Sequence, residues 1–463
     1  MVHGSVKRVL HLIEALLISA LVIMALVAWR LSQGPVNLDF LNPYIQEALA
    51  APDGSFRVEV EHTTLTWAGW KRALDLRATG VRAISGDKGE VASVPELSLS
   101  LSGQALSQGV LAPSTLEVFG ANIRLFRDAD GTIHFGMGGT SEETAAAPEE
   151  SADQLVRRLY RQLMERDVAN PVNHLVRVRL LDAELVVEDA VLGINWVARD
   201  ADLMLLRNES GVSADLHLEV DLGGELTEVT AHLGHRVANG DFQAEISFNN
   251  LRPDVFARIS PELRDLAALE MPLGGVVKGT FDLEHGFRHA TLDIGGGTGT
   301  LRMPDPIATD YPVFGLHLRA EVSGQPRRLT VHDLFIDCGG PTVSANAVID
   351  QEADGALVVK AQAGADNVPT DLLPHYWPQS VGPKPRKWVV ANLTDGIVDH
   401  AEIAVALRRG ADGSVSVDKL DGQILPHGVT VAYLRPMPPV RNTSARVRFD
   451  HNSFHIQATG GEL

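Results

Sequence analysis

The chain has 463 residues, 45% of them hydrophobic but only 5% aromatic, and 59 acidic side chains against 40 basic ones give a formal net charge of −19. That length exceeds what one hydrophobic core serves, so several domains or a repeat-like structure are expected. The acidic balance, with no basic stripe, excludes a nucleic-acid partner, because polyanion binding depends on Lys and Arg neutralising phosphates. The lone cysteine, Cys338, excludes an intramolecular disulfide.

Residues 1–8 form a short tail with Lys7 and Arg8 at its end. The run Val9–Trp29 is apolar except for His11, Glu14 and Ser19, and it matches the roughly 20 residues that cross a bilayer as a helix. Basic residues before it and Asp39, Glu47 and Asp53 after it predict a cytoplasmic N-terminus and an exported remainder. A cleaved signal peptide is the competing reading, but the nearest small-x-small site, Ala48-Leu49-Ala50, lies too far downstream.

Beyond the anchor, Asn37 is placed to cap a helix over Leu38–Ala50, with Leu38, Leu41, Ile45, Ala48 and Leu49 on one face despite Pro43. The pattern then switches to period two. Phe56, Val58 and Val60 alternate with Arg57 and Glu59, and Leu97, Leu99 and Leu101 with serines, so residues 30–137 read as a membrane-proximal β region. Gly138–Glu150 holds almost nothing to bury and reads as a linker. Ser151 opens an amphipathic helix with Leu155, Leu159 and Leu163 on one side and Arg157, Arg158, Arg161 and Arg166 on the other. Packing on a sheet rim suits that helix better than lipid contact, and it completes a segment 138–173.

From 174 to 463 the alternation persists, and the region reads as a repetitive antiparallel β structure. Leu216, Leu218 and Val220, then Phe242 and Ile246, then Phe314, Leu316 and Leu318 are the apolar rows taken as the candidate lining of a groove. Asp354-Gly355, Asp412-Gly413 and Asp421-Gly422 read as turns between strands. Alternation leaves open whether the apolar faces close on one another as sandwiches or line an open groove.

The search for chemistry yields no catalytic, metal or cofactor set. DIGGGTGTL, around Gly295–Gly299, lacks the P-loop lysine and reads as a strand-end turn or bulge. His232 and His235 have H-x-x-H spacing, but a strand points them to opposite faces. The Asp128, Asp130, Gly131 run starts like a calcium loop without its closing acid. Cys338 reads as a buried structural thiol. An enzyme is therefore not expected.

Several segments carry a resemblance. LSQGPVNLDFLNPYIQEALA followed by FRVEVEHTTLTWAGW, the pair VFGANIRLFRDADGTIHF, the stretch from Tyr376 to Ile403 with its Trp-Pro and Arg-x-Trp elements, and Val429–Leu463 resemble the AsmA-like superfamily, in its long YhdP- and TamB-type branches. The resemblance implies a mainly β fold: an N-terminal transmembrane helix, then an elongated antiparallel sheet curled into a hydrophobic groove, with one or two short helices. It implies an anchor in the inner membrane, a periplasmic bulk and phospholipid as the carried partner. No cofactor is implied. Outer-membrane or envelope proteins are further partners under the alternative of a scaffold that assists outer-membrane protein assembly by strand pairing. The chain is expected to be an N-terminal portion of such a protein, with the groove continuing past Leu463.

Overall fold

The computed structural model describes residues 29–30, 33–49, 56–66, 75–85, 89–102, 105, 112–127, 133–136, 174–191, 193–208, 210–221, 225–236, 241–259, 261–282, 286–303, 308–324, 327–379, 382–434 and 436–463. The protein is mainly β, with few short helices, as its alternating sequence predicts. Two compact units divide it: Met1–Val191 with Asn195–Leu218, and Leu192–Ile194 with Glu219–Leu463. The expected span over Val9–Trp29 lies, but for Trp29, outside the described residues, as does the expected helix from Ser151. Among the described residues no helix is long and apolar enough to cross a membrane.

The first unit contains β1 (Val36–Asn37), β2 (Phe56–Glu59), β3 (His62–Thr66), β4 (Asp75–Ser85), β5 (Gly89–Leu101), β6 (Pro113–Phe119), β7 (Asn122–Arg127), β8 (Ile133–Gly136), β9 (Arg177–Asp189) and nearly all of β10 (Ile194–Asn208). The expected helix near its start is shorter than Leu38–Ala50. A 3₁₀ turn covers Asp39–Leu41, and helix α1 runs Asn42–Leu49. Leu38, not Asn37, stands at the N-cap of that 3₁₀ turn, without a side-chain capping bond; Asn37 lies one residue earlier, its Oδ1 accepting the Asp39 N–H at 2.8 Å, and Pro43 falls in the first turn of α1. Ile45 of α1 packs on a small core of Val58, Val60, Ala78 and Val81.

An antiparallel meander was expected throughout, and the first unit departs from it. β9 runs parallel to both β6 and β7, from Thr115↔Arg177 to Phe119↔Leu181 and from Asn122↔Glu184 to Arg127↔Asp189. The register offset is the same on both, so β6 and β7 are one strand creased at Gly120 and Ala121. Gly120 has φ of 66°, and Asp182 opposite it has φ of 52°. A parallel pair needs a long crossover, and the chain between β8 and β9, expected to be linker and helix, supplies it.

β11 (Gly211–Asp221) begins in the first unit and ends in the second. The second unit continues with β12 (Leu226–Arg236), β13 (Phe242–Leu251), β14 (Leu269–Glu270), β15 (Leu273–Asp282), β16 (Gly286–Gly296), β17 (Gly299–Arg302), β18 (Asp310–Val313), β19 (Gly315–Gly324), β20 (Arg327–Asp337), β21 (Thr342–Gln351) and β22 (Leu357–Pro369). Then follow β23 (Leu393–Thr394), β24 (Ile397–Arg409), β25 (Val415–His427), β26 (Val429–Val431), β27 (Val440–Asp450) and β28 (Phe454–Thr459). Helix α2 (Pro253–Ile259) follows β13, and α3 (Leu373–Tyr376) and α4 (Pro383–Asn392) separate β22 from β23.

The main ladder here is antiparallel and runs β12, β13, β15, β16, β19, β20, β21, β22, β24, β25, β27, β28. A three-stranded sheet of β14, β17 and β18 lies beside it. A buried cluster of Met271, Leu273, Val313, Ile336 and Cys338 ties the small sheet to one end of the ladder's strands, with Leu316, Val343 and Tyr376 packed around it.

Gly355 (φ 86°) and Gly413 (φ 82°) occupy turns as expected. Asp421-Gly422 does not: it lies inside β25. The glycine is there because the Phe449 ring lies over it, where a Cβ would fall 2.3 Å from Cζ. The glycine-rich run is the expected strand end, with β16 stopping at Gly296 and β17 starting at Gly299.

Candidate functional site

Tracing the register across the second unit shows what alternation in single strands could not. One row of directly opposed residues reads Val229, Phe248, Gly275, Ile294, Leu318, Leu334, Ala345, Ala363, Ile403, Gly422, Phe449, Phe454. It crosses twelve strands among the described residues without a polar side chain. The neighbouring row on the same face runs Ala231, Ile246, Val277, Leu292, Ala320, Val331, Ala347, Ala361, Val405, Leu420. On the other side lies Leu273, Gly296, Leu316, Ile336, Val343, Ala365, Ala401, Ile424, Val447, Ile456. At about 4.8 Å per strand the first row extends for roughly 50 Å.

Burial decides what this face is. In a sandwich the inward rows are sealed by an opposing sheet. Here Ile294, Leu318, Leu334, Ala345, Ala363 and Ile403 are half-buried, Ile246 keeps 41% of its surface and Phe454 48%, while Leu273, Ala320 and Ile336 are buried. Contiguous apolar surface on that scale exceeds what scattered surface residues give and makes this face the candidate site. The middle strands carry alanine in these rows, at positions 345, 347, 361, 363, 365 and 401, between flanking strands rich in Leu, Ile, Val and Phe. Small side chains there make the centre of the wall the thinnest part of its lining.

The opposite face is wet and charged. Cross-strand pairs join neighbouring strands: Lys278 with Glu245 at 3.2 Å, His289 with Glu321 at 3.1 Å, His317 with Asp293 at 3.0 Å, and His400 with Asp366 at 2.7 Å. Exposed pairs of this kind add little stability each, but they fix which face meets water. A hollow of about 750 Å³ is bordered by polar groups of this side, among them Asp333, Ser344, Gln362, His400, Glu402 and Arg448. Among the described residues no group of three or more His, Cys, Asp or Glu is placed to hold a metal.

Of the sequence-predicted lining residues, Ile246, Leu316 and Leu318 fall on three adjacent rows of the one apolar face. Phe242 ends the next row but one, buried between His235, at a centroid distance of 4.4 Å, and Phe281, stacked at 5.0 Å. Phe314 precedes β19 and stays 56% exposed, its ring over Gly339. Val220 is buried at the end of β11; Leu218, also buried, and Leu216, half-buried, belong to the first unit. Val277 and Leu334 were missed because glycines interrupt β15 and a bulge interrupts β20; Leu292 and Ile294 form only a short alternating run before the glycines that end β16. Ala345, Ile403 and Phe454 stood in alternating runs that the sequence could not assign to the same face.

The remaining motifs are structural. His232 faces Glu245 on the polar side and His235 faces Phe242 on the apolar side, as the strand period requires. Cys338 is 6% exposed, and burial, with the neighbouring Asp337 charge adding to it, pushes its thiol up and keeps it protonated. The Asp128, Asp130, Gly131 run lies outside the described residues. Comparison with family models, with curated proteins and with solved structures gives no match.

Proposed function

We propose that the apolar face of the second unit binds and guides phospholipid, in a protein anchored in the inner membrane with its bulk in the periplasm. On this reading the face is the wall of a groove that leads lipid towards the outer membrane, and no catalytic group is required. The observation that carries it is the unbroken, incompletely buried apolar register across twelve strands. Withdrawing acyl carbons from water is worth about 0.8 kcal/mol per CH₂, so a chain of roughly 16 carbons holds on the order of 10 kcal/mol that only a continuous apolar surface returns. The resemblance to the AsmA-like superfamily supports the same reading.

The test is native mass spectrometry with lipid extraction on the parent and on a Leu318→Asp, Ile403→Asp variant. Both positions are only half-buried, so the variant is expected to fold with an unchanged circular dichroism spectrum and to lose the phospholipid that the parent retains. A folded, lipid-free parent would sink the proposal. The alternative is a scaffold that assists outer-membrane protein assembly by strand pairing, and Ile456 of β28, 60% exposed, is a position at which to test it. A client pulled down by the parent and lost on Ile456→Lys, with lipid unchanged, would favour it.

A further inference from the structure

Between β22 and β24 the ladder gives way to a helix pair that is fastened at one side and bare at the other. The Arg386 guanidinium donates through Nε to the Trp377 carbonyl at 2.6 Å and through Nη2 to the Pro374 carbonyl at 2.8 Å, which ties α4 to the end of α3. Tyr376 stacks against Tyr311 at 6.1 Å, and its hydroxyl donates to the Cys338 carbonyl at 3.5 Å. The pair is thereby held at the end of the wall where Leu316 and Ile336 lie.

Its outer side has a different chemistry. Lys384, Lys387, Trp388 and Ala391, at i, i+3, i+4 and i+7, form one exposed stripe of α4, and Trp388 keeps 43% of its surface. Neither lysine is paired with a carboxylate among the described residues. The Ala432 N–H donates to the Asn392 carbonyl at the end of α4, at 2.8 Å. The loop after β26 therefore leaves beside the helix and displays Tyr433 (44% exposed), Leu434 (59%) and Met437 (53%). The described residues of Thr370–Ile397 and Val429–Arg441 hold four basic residues, Lys384, Arg386, Lys387 and Arg441, against the acids Asp371 and Asp395, in a chain of net charge −19.

Lysine is depleted from protein–protein interfaces, whereas Trp and Tyr at headgroup depth with flanking lysines are the composition of a surface lodged in a bilayer interface. We propose that the α4 stripe, with Tyr433, Leu434 and Met437 beside it, docks on an anionic phospholipid bilayer, so that lipid enters or leaves the wall at this end of its strands. The proposal rests on the lipid reading above for its purpose, and its charge and aromatic pattern stand apart from that reading.

The test uses the full chain in vesicles of phosphatidylethanolamine and phosphatidylglycerol, with a nitroxide on Trp388→Cys and, as a control at the far end of β24, on Ala411→Cys. Cys338 is buried, so the unsubstituted chain serves as the unlabelled blank. Power-saturation spectroscopy is expected to show the label at 388 several-fold less accessible to a water-soluble nickel chelate than the label at 411, and more accessible to oxygen. Adding Lys384→Glu and Lys387→Glu is expected to return it to water. Equal nickel access at both sites overturns the proposal, and so does protection of 388 in detergent without vesicles, which would mean a protein contact. Phospholipid retained on a parent whose label stays in water leaves the wall standing and removes the docking face; a lipid-free parent with a membrane-embedded label does the reverse.

Discussion

Gly422 sits in the middle of a strand under the Phe449 ring, and a Cβ there would also lie 2.5 Å from the Glu402 carbonyl. Gly422→Ala is expected to destabilise the second unit by about 1–3 kcal/mol, the usual cost of overpacking, read as a lowered urea midpoint at unchanged slope. His400 supplies a pH-sensitive counterpart on the wet face. Its hydrogen bond to Asp366 is the main cause that raises its pKa above the ordinary 6.5, with the Asp366 charge and Glu402 adding to it. The contribution is therefore complete below the unfolded value and fades as pH rises through the higher folded value. In an NMR titration the His400 ring should change charge at higher pH in the parent than in Asp366→Asn; coincident curves would remove the linkage.

At the scale of elements, the bulge in β20 does what sequence alternation could not announce. Leu329 and Val331 keep period two, then Leu334 and Ile336 resume one residue late. Val331 opposes Ala320 while Leu334 opposes Leu318, so His332 and Asp333 absorb the slip and all four apolar residues stay on one face. Deleting Asp333 should restore strict alternation and give a folded, lipid-bearing chain, since the ion pairs it forfeits with His317 and Arg319 are exposed. Deleting Gln362, in the regular part of β22, should instead turn half of that strand inside out and abolish folding, which proteolysis and circular dichroism would both report. The helices of the second unit were equally hidden. Pro253 and Pro383 each open one, a position that proline favours, but seven and ten residues are too few to overcome the strand signal around them.

Over the whole molecule, the β class and the apolar rows were legible because period two survives in composition. Alternation identified Ile246, Leu316 and Leu318 as facing one way, each within its own strand; which strands share a face is a property of register, set by turns and bulges. The parallel pairing of β9 was illegible for a related reason, since its crossover is the segment that reads as linker. Phe314 shows the limit within one run: it keeps the parity of Leu316 and Leu318 yet lies past the strand's start, its ring over Gly339.

The ladder from β19 to β22 also bears on how such a wall changes length. Each of these strands is bonded to its neighbours in sequence, and the rows enter β20 at Leu334 and reach β24 at Ile403 in the same phase. A whole hairpin such as β21–β22 is therefore an interchangeable part: gaining or losing one alters the span by about 10 Å while every remaining row still meets its continuation. Single-residue insertions do not have that property, so lineages that lengthen or shorten this wall are expected to do so by strand pairs.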